Sequence, residues 1–187
     1  MTGGREAAAD PGLAGLISAR IREVPDYPTP GIVFKDITPL LADGGAFAAV
    51  VAALADGHHP EAPGRIDKVV GIEARGFIFA APVAVMLGAG FVPVRKQGKL
   101  PSASYAESYQ LEYGKATIEM HSDAVSPGER VLIIDDVLAT GGTASATARL
   151  IRRSGAQVAG IAVVIELGFL NGRASLPGIE VRSLVAA

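Results

Sequence analysis

The chain has no cysteine and no tryptophan, and aromatic residues make up only 5% of its 187 positions. Without cysteine there can be no disulfide framework, thiolate metal site or cysteine nucleophile, and such a composition fits a reducing cytoplasm. Neither sign of charge prevails: 17 Lys and Arg stand against 19 Asp and Glu, a net charge of −2. No global field is available to hold nucleic acid or an anionic membrane, so any anion must be met by local groups. The N-terminal segment carries acids and no apolar stretch, and a secretory signal is not expected.

Long uncharged runs are also scarce. Residues 76–94 form one that is nearly long enough to cross a bilayer as a helix, but Pro82, Gly88, Gly90 and Pro93 interrupt it. The expectation is a helix at about 77–87, a glycine turn, and a buried strand at 91–94. At 49% apolar residues the chain can bury a full core, and its length suits one domain.

The most informative stretch is 131–143, where an apolar strand, an acid pair and a glycine loop follow without a break. Val131-Leu132-Ile133-Ile134 lacks alternation, as in a parallel strand covered on both faces. Ligands bind at the carboxyl ends of such strands, where Asp135 and Asp136 stand. Adjacent carboxylates repel unless hydroxyl donors, water or a metal offset the repulsion, and the two hydroxyls of a ribose would do so. Ala139-Thr140-Gly141-Gly142-Thr143 then opens a helix running to Arg153, with glycines and first-turn amides suited to a phosphate monoester. An ordinary strand–turn–helix would use the same acids as a cap and the same glycines as a turn. Neither a dinucleotide fingerprint nor a Walker loop competes.

Three further segments carry polar chemistry. Glu73-Ala74-Arg75-Gly76 follows a strand at 68–72, and Arg75 there could grip pyrophosphate oxygens in paired hydrogen bonds or form a surface ion pair. Arg95, Lys96 and Lys99 precede a long polar stretch that suggests a lid; the cations could meet a leaving group or merely solvate a strand end. In 27–38, prolines flank Val33, Phe34 and Lys35, an apolar patch where a flat heterocycle could stack or which could pack into the core.

The remaining elements expected are helices near 13–23 and 46–55 and a strand at 157–166. Strands and helices alternate, implying a mostly parallel central sheet flanked by helices. His58 and His59 read as a surface loop, and His121 as the polar face of a strand shared with Glu119.

Taken together, these motifs resemble the adenine branch of the type I phosphoribosyltransferases, over about 21–185. The segments carrying the likeness are 27–38, 73–77, 95–101, 109–114 and the 131–143 signature for phosphoribosyl pyrophosphate (PRPP). The resemblance implies a type I phosphoribosyltransferase fold with a small hood and a flexible lid loop. It further implies a single domain, taken as 1–187, with 95–121 as lid loop and hairpin; residues 1–14 have no counterpart in the family and are expected to form a flexible arm. The implied reaction joins adenine to PRPP, forming AMP and pyrophosphate in purine salvage.

By the same resemblance, Asp135 and Asp136 hold the ribose and 139–143 the 5-phosphate. Glu73, Ala74 and Arg75, in a turn that commonly holds a cis peptide, face the pyrophosphate with Arg95, Lys96 and Lys99. Adenine lies between Phe34 and Val137, its edge read by the backbone of Val33 and Lys35. Glu112 pairs with N7 of the base, beside Tyr113 on the lid, and Glu112 and Arg75 are the catalytic candidates. Mg2+ comes with PRPP, held mainly by its oxygens and water, with no dedicated protein ligands. The implied partners are adenine, PRPP and a second copy in a homodimer, without nucleic acid or membrane. Position 74 is Ala where a small hydroxyl residue is frequent, and Lys35 stands where many members carry Arg. Two rivals share the PRPP site: a transcriptional sensor, for which no helix-turn-helix fits before Tyr27, and a transferase acting on xanthine or hypoxanthine.

Overall fold

The computed structural model describes residues 11–58, 64–110 and 114–187. The chain begins with α1 (Pro11–Ser18), then pairs β1 (Arg22–Val24) antiparallel with β2 (Phe34–Asp36) in a two-stranded hood. The helix expected at 13–23 therefore ends early, and the strand takes over its last turn. Leu13 and Ala14, expected in a flexible arm, are helical and pack against the core. Residues 1–10 of that arm lie outside the described residues.

After α2 (Thr38–Ala42) and α3 (Gly44–Ala55), the central sheet starts with β3 (Lys68–Ile72), α4 (Gly76–Leu87) and β4 (Gly90–Lys96). Pro82 lies inside α4 without ending it, and Gly88 closes the helix in the left-handed region at φ 62°. An antiparallel hairpin follows, β5 (Ser104–Gln110) with β6 (Lys115–His121). The chain then forms β7 (Arg130–Leu138), α5 (Gly142–Arg153), β8 (Gln157–Glu166) and β9 (Val181–Ala186), with two 3-10 turns before β9.

Seven strands make one sheet in the order β5-β6-β4-β3-β7-β8-β9. All neighbours from β4 to β9 in this order run parallel, whereas β6 is antiparallel to both of its neighbours, β5 and β4. The run 131–134 explains the architecture. Leu132 and Ile134 face a core shared with α1, α3 and α4, whereas Val131 and Ile133 face a second core under α5. Both sides of the strand are buried, so alternation has no polar face to mark. In β6, by contrast, Ile118 and Met120 are buried while Glu119 and His121 keep partial exposure, the alternation its sequence carries.

Candidate active site

From β3 the chain crosses to β4 on one side, and from β7 to β8 and β9 on the other. The ends of β3 and β7 thus flank the point where strand order reverses, the usual ligand position in an open α/β sheet. Register puts Gly71 opposite Ile134, bringing the turn after Ile72 alongside Asp135 and Asp136. A cavity of about 340 Å³ opens there, bounded by Glu73, Ala74, Arg75 and Lys96 on one side and Asp135, Asp136 and Thr143 on the other. A smaller one of about 70 Å³ is wrapped by residues 139–143 together with Asp135 and Val137.

The glycine loop is held from behind by a segment that carries no charge pattern of its own. Gly141 sits at φ +79°, and a Cβ there would lie 2.3 Å from the Gly172 carbonyl oxygen. A Cβ on Gly172 would come equally close to Ala139, 2.2 Å from its carbonyl oxygen. Ser175 Oγ donates to the Thr140 carbonyl at 2.9 Å. The backbones of 139–141 and 172 can touch only because both contact points lack side chains. On the cavity side, no side chain caps the start of α5 and its first turn has no acid. Its free amides and positive dipole end are open to an anion.

Asp135 accepts the Asp136 backbone N–H at 2.9 Å. Its Oδ1 would lie 2.8 Å from a Cβ at position 76, so Gly76 is what lets α4 start beside it. Asp135 keeps partial exposure because it faces the cavity, yet protein surrounds it closely. Burial, then the neighbouring Asp136 charge, pushes its carboxyl well above the usual range. Asp136 is 6% exposed, and its buried Oδ2 has no hydrogen-bond donor. Arg75 Nε is 2.8 Å from that oxygen but off the hydrogen-bond direction, so the contact is an ion pair that leaves a lone pair unused.

Arg75 also lies over the Phe34 ring, 4.9 Å from its centroid, with Nη1 3.5 Å from the Lys35 carbonyl oxygen. The hood and the acid pair therefore share one guanidinium. Tyr27 meets Phe34 edge-on, centroids 5.2 Å apart. Phe34 is only half-buried and Val33 is 51% exposed, so this patch is not core.

The Glu73–Ala74 peptide is cis, as the family resemblance implied. The Glu73 carboxylate gathers the cations of the 95–99 segment: it accepts from the Lys96 backbone N–H at 2.9 Å, pairs with Lys99, and lies 3.4 Å from Arg95 Nε. Burial pushes Glu73 up, but the hydrogen bonds from Lys99 and Lys96 and the charges of Lys99 and Arg95 outweigh it, and its carboxyl is lowered. Among the described residues no group of three or more acids and histidines could hold a metal. The oxygen donors of Glu73, Asp135 and Asp136 around one cavity nevertheless suit a hard cation that brings most of its own ligands.

The expected PRPP residues thus converge. Phe34 and Lys35 join them through Arg75, and Val137 through the smaller cavity. Val33 lines neither opening, and Glu112 and Tyr113 lie outside the described residues. His58 and His121 line neither, and His59 is outside the described residues. Gly172, Ser175 and Tyr109, which also lines the larger cavity, were not singled out from sequence as site residues. Only Tyr109 left a trace there, as the first residue of the 109–114 segment that carries the family likeness. A separate opening of about 300 Å³ between α1, α3 and β9 is crossed by the Arg182–Asp56 ion pair and brings together no acid pair or glycine loop.

A model of the phosphoribosyl transferase domain matches residues 40–175. The chain is 62% identical over 172 residues to the adenine phosphoribosyltransferase of Thermobifida fusca, covering 92% of this chain and 96% of that one. It is 62% identical over 167 residues to the enzyme of that name from Streptomyces coelicolor, covering 88% and 89%. Among solved structures, adenine phosphoribosyltransferase from Rhodothermus marinus superposes with a TM-score of 0.88 at 52% identity, over 95% of this chain and all of that one. The Saccharomyces cerevisiae enzyme, complexed with an imino-altritol bisphosphate and adenine, gives 0.86 at 37% identity, over 93% and 99%.

Proposed function

The chain belongs to the phosphoribosyltransferase family, among its adenine phosphoribosyltransferases, and from that premise we propose how its residues divide the reaction. The reaction transfers the 5-phosphoribosyl group of PRPP to adenine, forming AMP and pyrophosphate in purine salvage. One observation carries the assignment of residues: Asp135 and Asp136, the latter with an Oδ2 that has no hydrogen-bond donor, line a cavity that adjoins the uncapped start of α5. A ribose hydroxyl supplies the missing donor, and a 5-phosphate meets the amides and hydroxyls of 139–143.

Pyrophosphate then lies toward Arg75, Lys96 and the 95–99 segment. Glu73 holds Arg95 and Lys99 near that position before substrate arrives. As the glycosidic carbon loses its leaving group, positive charge grows on the ribose beside Asp135 and Asp136. Negative charge grows beside the cations. Mg2+ carried by PRPP would neutralise part of the pyrophosphate charge, next to the carboxylates of Glu73 and the acid pair. Adenine stacks in the region of Phe34 and Val137, with Val33 and Lys35 backbone groups reading its edge. Glu112 takes a proton at N7, making N9 the better nucleophile, and Tyr113 closes over it.

The whole chain, 1–187, acts as one domain, with the hairpin at 95–121 as its lid. A homodimer completes the proposal. Ile78, Val85 and Met86 follow helical spacing on α4 and are 40%, 83% and 50% exposed; Phe91 on β4 is 38% exposed. An apolar stripe of this kind suits a second copy. Among the described residues no helix is long and apolar enough to cross a membrane. The absence of cysteine supports a cytoplasmic location.

The test is product formation with Mg2+, PRPP and each of adenine, hypoxanthine, guanine and xanthine. AMP from adenine alone is the expected outcome, with turnover in Glu112→Gln lower by about 10²-fold or more and PRPP affinity nearly unchanged. Equal turnover by the two proteins would remove Glu112 from the mechanism.

A further inference from the structure

We propose that Tyr109 is a positioning residue that seats the β5–β6 hairpin on the 5-phosphate loop, so that an anion held at 140–143 sets where the hairpin lies. This rests on the 5-phosphate site described above.

Residues 105, 107 and 109 alternate along β5 and share one face. All three meet α5. The Arg153 guanidinium lies over the Tyr105 ring, 4.7 Å from its centroid. Arg149 Nε donates to Glu107 Oε2 at 3.1 Å, and Nη2 donates to the Ser108 carbonyl at 3.3 Å. Arg149 is itself steadied by Nη1 on Ser145 Oγ, 3.1 Å away. At the end of this seam the Tyr109 ring reaches Gly142, the first residue of α5. A Cβ at position 142 would lie 3.0 Å from Tyr109 Cδ2 and 3.7 Å from Cε2. The ring occupies the space a side chain would need.

β5 is the edge strand, paired in the sheet only with β6, so its position depends on β6 and on this seam. Interiors packed at this density pass small displacements on rather than absorbing them. An anion drawing the amides of 141–143 toward itself therefore moves or fixes the surface on which Tyr109 rests. Glu112 follows Tyr109 by three residues in the chain. The coupling runs through ring carbons and not through the hydroxyl, so phenylalanine preserves it. The Gly172 and Ser175 contacts lie behind the loop and are independent of Tyr109. Loss of the ring therefore leaves the loop able to bind.

Hydrogen exchange of the full chain with and without saturating ribose 5-phosphate tests this directly, alongside titration calorimetry with the same ligand. In the parent protein and in Tyr109→Phe, ligand slows exchange in residues 104–110. In Tyr109→Ala, calorimetry still shows binding, the slowing is lost, and kcat falls by about tenfold or more with KM for PRPP nearly unchanged. Should the alanine variant not fold, Tyr109→Leu, which keeps apolar bulk without the ring edge, carries the same comparison. Ligand-induced slowing that survives in the folded Ala or Leu variant overturns the proposal. So does a variant whose only change is lower thermal stability. Failure of the parent protein to bind ribose 5-phosphate would instead overturn the site itself, and the proposal with it.

Discussion

Asp135 illustrates how a single group lining the cavity can oppose stability. Its carboxyl is raised by burial and by the Asp136 charge, so the folded state holds the proton more tightly than the unfolded chain. Between the ordinary carboxylate value near 3.9 and the raised one, the folded state binds more protons, and stability falls as pH rises through that window. Above it the penalty is constant, and Asn, which never ionises, avoids it. Asp135→Asn is therefore expected to melt at a higher temperature than the parent at neutral pH. The difference should close as pH falls toward about 4, and a melting series across pH checks it. Activity should fall by about 10²-fold. Gly76 belongs to the same scale: a methyl there would press on Asp135 Oδ1 and the Ile134 carbonyl. Gly76→Ala is expected to lose about 1–3 kcal/mol in denaturant unfolding.

At the scale of elements, the glycine loop 139–143 is a joint product of α5 and the turn before β9. Ser175→Ala removes one donor to the Thr140 carbonyl and should cost about 1 kcal/mol, with a modest rise in KM for PRPP. Gly172→Ala forces a methyl onto the Ala139 carbonyl and should raise that KM much further; equal effects of the two would contradict the buttress. The loop itself was readable because its strand, acids and glycines are contiguous in 131–143. Its support was not, since 172–175 has no periodicity, its one charge, Arg173, is turned to Glu166, and it acts through the close approach of Gly172 and the Ser175 hydroxyl. The helix expected at 13–23 shows the converse error. Apolar spacing continued past Ser18, but pairing of Arg22–Val24 with Phe34–Asp36 claimed the last residues for the hood.

For the whole molecule, the exposed stripe of Ile78, Val85, Met86 and Phe91 is expected to be covered by a second copy. Light scattering should show a dimer at micromolar concentration, and the double substitution Val85→Glu with Met86→Glu should yield a monomer. A parent monomer with full activity would contradict this. From sequence the same segment had to be tested against a membrane span. The tertiary structure explains its character: one side of α4 lies in the core through Phe79 and Val83, while the other keeps apolar groups at the surface.

What the sequence determined by itself was everything carried by neighbours along the chain: the doubly buried strand 131–134, the acid pair at its end, the loop opening α5, and the alternation of β6. These follow from strand and helix periods and from the backbone chemistry of glycine, which act over a few residues. The order of strands is not encoded at that range, and only the fold decided what it brings together. Placing β3 beside β7 put Arg75 on Asp136, and the hood brought Phe34 to the same guanidinium. Covering the edge hairpin with α5 put Tyr109 on Gly142, and returning the chain before β9 put Gly172 behind Gly141. Each is a contact between segments far apart in sequence, made possible by a packed sheet and, at Gly141, Gly142 and Gly172, by the absence of a side chain where two backbones or a ring must approach.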